Sequence, residues 1–498
     1  MDVTYAYTGL NSSQTRRLVE QRRLMTDLVT QENTGLKSQT YAGVSHRSLT
    51  LAFQSKVVEA EAYKSTIATV DPRLSLIGNA IEALSALSNE TSGELGQNGF
   101  TLTSSGKTPE QTMALNSLEG YVSTLNSEYD GIYVFGGKAT DTPPVVDTNT
   151  LLEGSGLKAG FKTVAAQRLQ ADKGSDGLGR LDLTQTGTSV TLAEDGTHPF
   201  GFKLSAATST LANATISGPT GAPPSIGVAF TGVPNADQGI ELTLTLPDGS
   251  TKAISLKAGA TADATKGVFA IGATAADTAT NFQTALQTAL QTAADTDLTA
   301  ASAVEAANNF FDTSGGGTPM RVAGPPYDTA TALVAGTDAD TVIWYRGTND
   351  AGNARADASA RVDSDLTIEY GTRANERAFV EQIKQLAVLA TLDVSAGGTA
   401  DTARYQAAVD RTKPILGKTT GSDSLQAVAT TIVGAQKASE MASDRLDLAN
   451  RTYTSAIEAN MNADDTELAV MITTLQTQIE ASYKATSILY KLSLTDYL

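Results

Sequence analysis

The sequence predicts an α+β multidomain protein. Long N- and C-terminal helices form a coiled-coil or bundle rod, and a β-rich variable insert lies in the middle. Three observations predict this. Eleven of the fourteen prolines lie between Pro143 and Pro326; proline is excluded from helix interiors, so the flanks can be long helices and the middle cannot. The flanks carry apolar residues at steps of three and four, the spacing that lines one side of a helix. The middle holds short runs of alternating apolar and polar residues bounded by glycine and proline, the pattern of half-buried strands.

Taken in order, residues 1–45 are polar with scattered Leu10, Leu18, Leu24, Met25 and Leu28. Ala60, Tyr63, Ile67, Val70, Leu74, Ile77, Ile81 and Leu84 form the first stripe. It runs through Asp71-Pro72, which marks either a kink or the start of a fresh helix. Thr108-Pro109-Glu110 reads as an N-cap, a proline in the first turn and an acid facing the helix dipole. The stripe after it runs through Leu115, Leu118, Val122, Leu125, Tyr129 and Ile132.

In the middle, IELTLTLPDGSTKAISLKA reads as two strands joined at Pro247-Asp248-Gly249. Phe282, Leu286 and Leu290 mark a short amphipathic helix, and Val342 to Tyr345, with the single tryptophan Trp344, reads as a buried strand. The insert is thus one or two small β-rich domains. The helical pattern resumes with a stripe from Leu425 through Val428, Ile432, Ala435, Ser439, Ala442, Leu446 and Ala449 to Tyr453. Leu468, Ile472, Leu475 and Ile479 repeat it near the end, followed by Ile488, Leu489 and Leu492. A 40-residue helix is about 60 Å long, more than a compact domain needs.

The composition argues against several functions. A formal charge of −18 without a basic cluster disfavours nucleic acid. The absence of cysteine removes disulfides, thiolate nucleophiles and cysteine zinc sites. No run of 18 apolar residues is present, so no membrane partner is expected. The first 24 residues hold four arginines and no continuous apolar run, unlike a cleaved secretion signal. His46 and His198, the two histidines, lie in polar surroundings and read as solvated loop residues. Gly136-Gly137 and the Gly315–Gly317 run read as turns, lacking a phosphate cradle's context. Asp172 and Asp176 lie near glycines but lack the alternating oxygen ligands of a calcium loop. The chain is therefore expected not to be an enzyme, with no catalytic, cofactor-binding or metal residues and no cofactor. The apolar side of the last helix is instead expected to be an interface with a partner.

The helix–insert–helix plan, with a Thr/Ala/Gly-rich middle, resembles the flagellin superfamily. Two segments narrow the resemblance. DGIYVFGGKATDTPPV (Asp130 to Val145) is similar to the segment of hook-filament junction proteins where N-terminal helices meet the insert. LQTQIEASYKATSILYKLSLTDYL (Leu475 to Leu498) is similar to the C-terminal helix of that family, which ends in Leu-x-Asp-Tyr-Leu. The chain thus resembles the hook-associated protein 3 type. It departs from the family at Gly35 to Leu49, where members carry a Ser-Asp-Asp-Pro-like stretch.

The resemblance implies a structural adaptor that joins the hook side of the bacterial flagellum to the flagellin filament. Such a chain leaves the cytoplasm through the flagellar type III apparatus without a cleaved signal and resides outside the cell at the junction. Its partners would be its own copies in a ring, the adjacent hook-associated junction protein, flagellin, and an export chaperone on the C-terminal helix. On this plan residues 1–45 are an assembly region disordered in the monomer, 46–141 and 351–462 form the helical rod, 142–350 is the insert, and 463–498 is the C-terminal assembly helix. Leu468, Ile472, Leu475 and Ile479 would form a seam with neighbouring copies, extended by Leu489, Leu492, Leu494, Tyr497 and Leu498. The alternatives are a flagellin filament subunit and a secreted β-rich adhesin on a helical stalk.

Overall fold

The structure is a computed structural model that describes residues 3–44, 46–97, 99–418, 421 and 423–495. It is mixed helix and sheet, with long helices at both ends. The chain divides into two compact units. The first holds residues 1–69, 361–367 and 439–498; the second holds 70–360 and 368–438. The whole of 142–350 thus lies in the second unit, together with helices from both flanks.

The helices are α1 (Val3–Thr34), α2 (Arg47–Glu94), α3 (Pro109–Leu125), α4 (Thr148–Glu153), α5 (Phe161–Lys173), α6 (Ala275–Ala293), α7 (Thr299–Phe311), α8 (Arg377–Thr391), α9 (Thr399–Leu416), α10 (Leu425–Met461) and α11 (Asp465–Thr495). α2 is one unbroken helix with Pro72 inside it, so no fresh helix begins there. Its stripe is buried from Ile67 to Leu84, and so is that of α10 from Leu425 to Leu446. The predicted spacing therefore marks the covered side of both helices.

α3 starts as predicted. The Thr108 hydroxyl accepts from the Gln111 N–H, and the Gln111 side chain accepts from the Thr108 N–H. The Nε2 of Gln111 also donates to the carbonyls of Leu389 and Leu392, closing the end of α8. One side chain thus satisfies both termini. The helix ends at Leu125, however, and the predicted stripe through Tyr129 and Ile132 is not helical. Those two residues pair across Asp130-Gly131, both with positive φ, in a two-residue hairpin.

The insert is built around two four-stranded sheets and α6, which share one core in the second unit. One sheet is antiparallel, in the order Leu181–Thr186, Ser189–Glu194, Ser225–Phe230, Ala214–Thr220. The other runs Val268–Ala270, Thr251–Gly259, Gly239–Thr245, Lys203–Ser209, with the Val268 strand parallel to its neighbour. The predicted hairpin is present, with Thr245 opposite Thr251 around the Pro247-Asp248-Gly249 turn. Alternation sets which side is covered: Ile240, Leu242 and Leu244 point inward with Ile254, Leu256 and Ala258. α6 begins with a Thr274–Asp277 capping box and buries Phe282, Leu286 and Leu290 at its four-residue spacing.

The Val342–Tyr345 segment differs from its expectation. Trp344 and Tyr345 are buried, but the segment makes only one isolated bridge, Val145 with Tyr345, next to that of Ala159 with the preceding Thr341. Its burial comes from helix contacts, such as the Phe311–Trp344 edge-to-face pair at 5.7 Å. α8 is covered on every side from Ala378 to Ala390 apart from Glu381, packing against α3, α7 and α9. A helix covered all round needs no narrow apolar stripe.

His198 is not a solvated loop residue. Its side chain is 2% exposed and lies 2.6 Å from Asp195. The Phe200 N–H donates to Nδ1, which leaves the neutral ring's proton on Nε2, facing Asp195. Burial holds its pKa below the usual histidine range; the Asp195 hydrogen bond opposes this, while the Lys203 and Arg180 charges reinforce it. Above about pH 6.5 both folded and unfolded states carry the neutral ring. As pH falls below that value the unfolded state binds the proton first, so stability falls. Urea unfolding of the insert at pH 7.5 and 5.5 should therefore show a larger acid-side loss in the native chain than in His198→Gln. Equal losses would rule this contribution out.

Asp172 is likewise committed within the fold. It is fully buried, pairs with Arg168 at 2.8 Å and accepts from the Gly201 N–H at 2.9 Å. Asp176 accepts from the Leu178 N–H.

Candidate assembly interface

The first unit brings the chain's two end helices together. α1 and α11 run antiparallel: Gln21 meets Ser482, Arg22 meets Tyr483, and Leu36 bridges Asn462. α1 ends at Gly35, whose positive φ lets its N–H close back on the Gln31 carbonyl. Its carbonyl accepts from the Ala463 N–H at 2.9 Å, and the Lys37 N–H donates to Met461 at 2.7 Å. These backbone bonds fix the register in which the two helices leave the junction.

The predicted seam residues lie on this contact. Leu468 and Leu475 are 4% and 5% exposed and form one cluster with Leu28 of α1. Ile472 and Ile479 pack against it half-buried, beside Met25 and Ala463. In the single chain the four residues expected to face neighbouring copies lie against α1. The reading treats α1 as polar, and the leucine and methionine that cover the seam are only one turn of it. Leu489, Leu492 and Leu494 lie on α11, but their side chains are outside the described residues, as are Tyr497 and Leu498 altogether.

A second antiparallel pair completes the unit. The part of α2 before Val70 lies along the part of α10 after Ala438, with Phe53 stacked on Tyr453 at 5.5 Å and Lys64 paired with Asp447 at 2.8 Å. The Lys64 hydrogen bond and charge lower the Asp447 pKa. This pair is solvent-exposed, so it orients the helices more than it stabilises them.

The outward sides of these helices are unusually apolar. Among the described residues, eleven of fifteen large apolar side chains left exposed belong to the first unit, although it holds the smaller part of the chain. Leu51 and Val58 repeat at seven residues on α2, and Met441 and Leu448 do so on α10. A spacing of seven keeps both members of a pair on one side of a helix. Val470 and Met471 add to this on α11. These are functional candidates that the stripe analysis missed, because it follows the covered side of each helix.

Among the described residues no three of His, Cys, Asp and Glu are grouped to hold a metal ion, and no described helix is long and apolar enough to cross a membrane. The described cavities lie in the second unit. The largest of those described, about 570 Å³, is lined by Thr142, Pro143 and Val145 of the Thr-Pro-Pro segment with Lys158, Ile343 and Arg346. No family model and no curated protein matches the chain.

Proposed function

We propose that the protein is a non-catalytic structural subunit of the bacterial flagellum, an adaptor of the hook-filament junction type. The observation that carries an assembly role is the concentration of exposed apolar side chains on the helical unit that joins the two chain ends. Such residues gain little in a free chain and are buried when copies pack side by side. The choice of a flagellar junction rests on the two segments of resemblance, Asp130 to Val145 and Leu475 to Leu498.

In this reading the α1–α11 pair is a preformed intramolecular coil. Its outward side, with Val470, Met471 and Leu24, meets neighbouring copies in a ring and the junction protein or flagellin on either side. The insert faces outward, and an export chaperone covers the C-terminal helix before assembly. Flagellin is the second reading, favoured by the same helical plan.

Immunogold electron microscopy of isolated flagella, with antibody to residues 142–350, tests this. Label confined to the boundary between hook and filament is the expected result. Label along the whole filament would make the chain a flagellin, and absence of label from flagella would overturn both.

A further inference from the structure

We propose that the cavity between α5, α7, α9 and the C-terminal end of α8 binds a small amphipathic anion, a carboxylate on an apolar body. The inference is independent of the assembly reading. The cavity measures about 450 Å³, within the range of small-molecule sites. Ala165, Leu169, Ala303 and Leu392 give it an apolar floor. Lys162, Lys173 and Arg404 stand around it, three cations at one opening on a chain of net charge −18.

Each cation can take part. Lys162 pairs with Glu153 and Lys173 with Asp295, and both acids are more than half exposed. Such pairs are weak and are readily shared with a ligand. Arg404 is fixed in place: Nε donates to the Asp295 carbonyl at 2.8 Å, and Nη1 donates to the Asp393 carbonyl and to Asp401. Its Nη2 has no hydrogen-bond partner among the described residues. Asp393, the carboxylate on the lining, holds Oδ1 on the Ser395 N–H and hydroxyl.

The backbone beside the cavity is also irregular. Ala294–Leu298 is a π-helical turn between α6 and α7, closed by Thr299, whose hydroxyl donates to the Ala294 carbonyl at 2.8 Å. Thr299 lines the cavity, and the Asp295 carbonyl in this turn positions Arg404. π-turns inside helices occur frequently at functional sites. A hydrated inorganic anion would gain nothing from the apolar floor, and a neutral apolar molecule would gain nothing from the two exchangeable lysine pairs or the open Nη2 of Arg404. An organic carboxylate uses both.

Isothermal titration of the full chain with octanoate, octanol and inorganic phosphate tests the proposal. Octanoate should bind saturably, with octanol and phosphate at least about tenfold weaker. Lys173→Gln should weaken octanoate by about tenfold. Ala166→Trp, an exposed lining position, should abolish binding with the circular dichroism unchanged. The proposal is overturned if octanoate does not saturate, if octanol or phosphate binds as tightly, or if a folded Ala166→Trp protein still binds.

Discussion

Replacing Leu475 by aspartate should open the α1–α11 pair. Leu475 is one of three leucines buried in that seam, so the change removes a third of its covered anchors. It also puts a carboxylate into the apolar cluster of Leu28, Leu468 and Ile472. Burying an unpaired carboxylate costs about 3 kcal/mol or more unless it takes up a proton or the helices part. Among the described residues, three buried leucines hold two helices of 32 and 31 residues together, so parting is the expected response. Hydrogen exchange should then speed up in α1 and α11, with the amides of the insert's strands unchanged. Wild-type protection in both helices would contradict the seam as described. On the proposed function the same variant should fail to assemble and leave cells non-motile; motility with an opened pair would count against the assembly role alone.

The second large effect is expected at Phe282. It is fully buried on α6 and meets Phe269 at 5.4 Å and Phe230 at 5.6 Å, both edge-to-face. Those two rings come from different sheets, so Phe282 joins the three parts of the insert's core. Phe282→Ala leaves a ring-sized cavity between elements that cannot all close on it, and should cost about 4 kcal/mol. Hydrogen exchange across strands Gly239–Thr245 and Ser225–Phe230 should accelerate together. A cost below about 1 kcal/mol would mean that the core closes around the lost ring. An effect confined to α6 would mean that the two sheets do not depend on it.

Local signals made much of this fold legible. The capping box at Thr108, the Pro247-Asp248-Gly249 turn and the four-residue spacing of Phe282, Leu286 and Leu290 each lie within a few residues of one another. They act through backbone restrictions and side-chain direction that do not depend on distant chain. The two-residue hairpin at Asp130-Gly131 carried an equally local signal. The stripe runs past it because Tyr129 and Ile132 happen to continue the step of four and three. The Val342–Tyr345 segment shows the reverse case: its apolar run marks burial, and burial under a helix reads the same as burial in a sheet.

By itself, the sequence determined the long helices of both flanks, the capped start of α3, the hairpin around Pro247-Asp248-Gly249 and the α6 stripe, and which side of α2 and of α10 is covered. Periodicity and proline exclusion are properties of the chain's own geometry. What covers each side was decided only in the tertiary structure. The stripe at Leu468, Ile472, Leu475 and Ile479 states that one side of α11 is apolar, and an apolar stripe is satisfied equally by another molecule or by residues 440 positions away. Met25 and Leu28 take that place because the junction at Gly35 and Ala463 turns α1 back along α11. The same holds for two of the cations around the cavity of α5, α7 and α9: Lys173 meets the Asp295 carboxylate and Arg404 the Asp295 carbonyl, both from chain segments remote in sequence, and charge acts through distance in space.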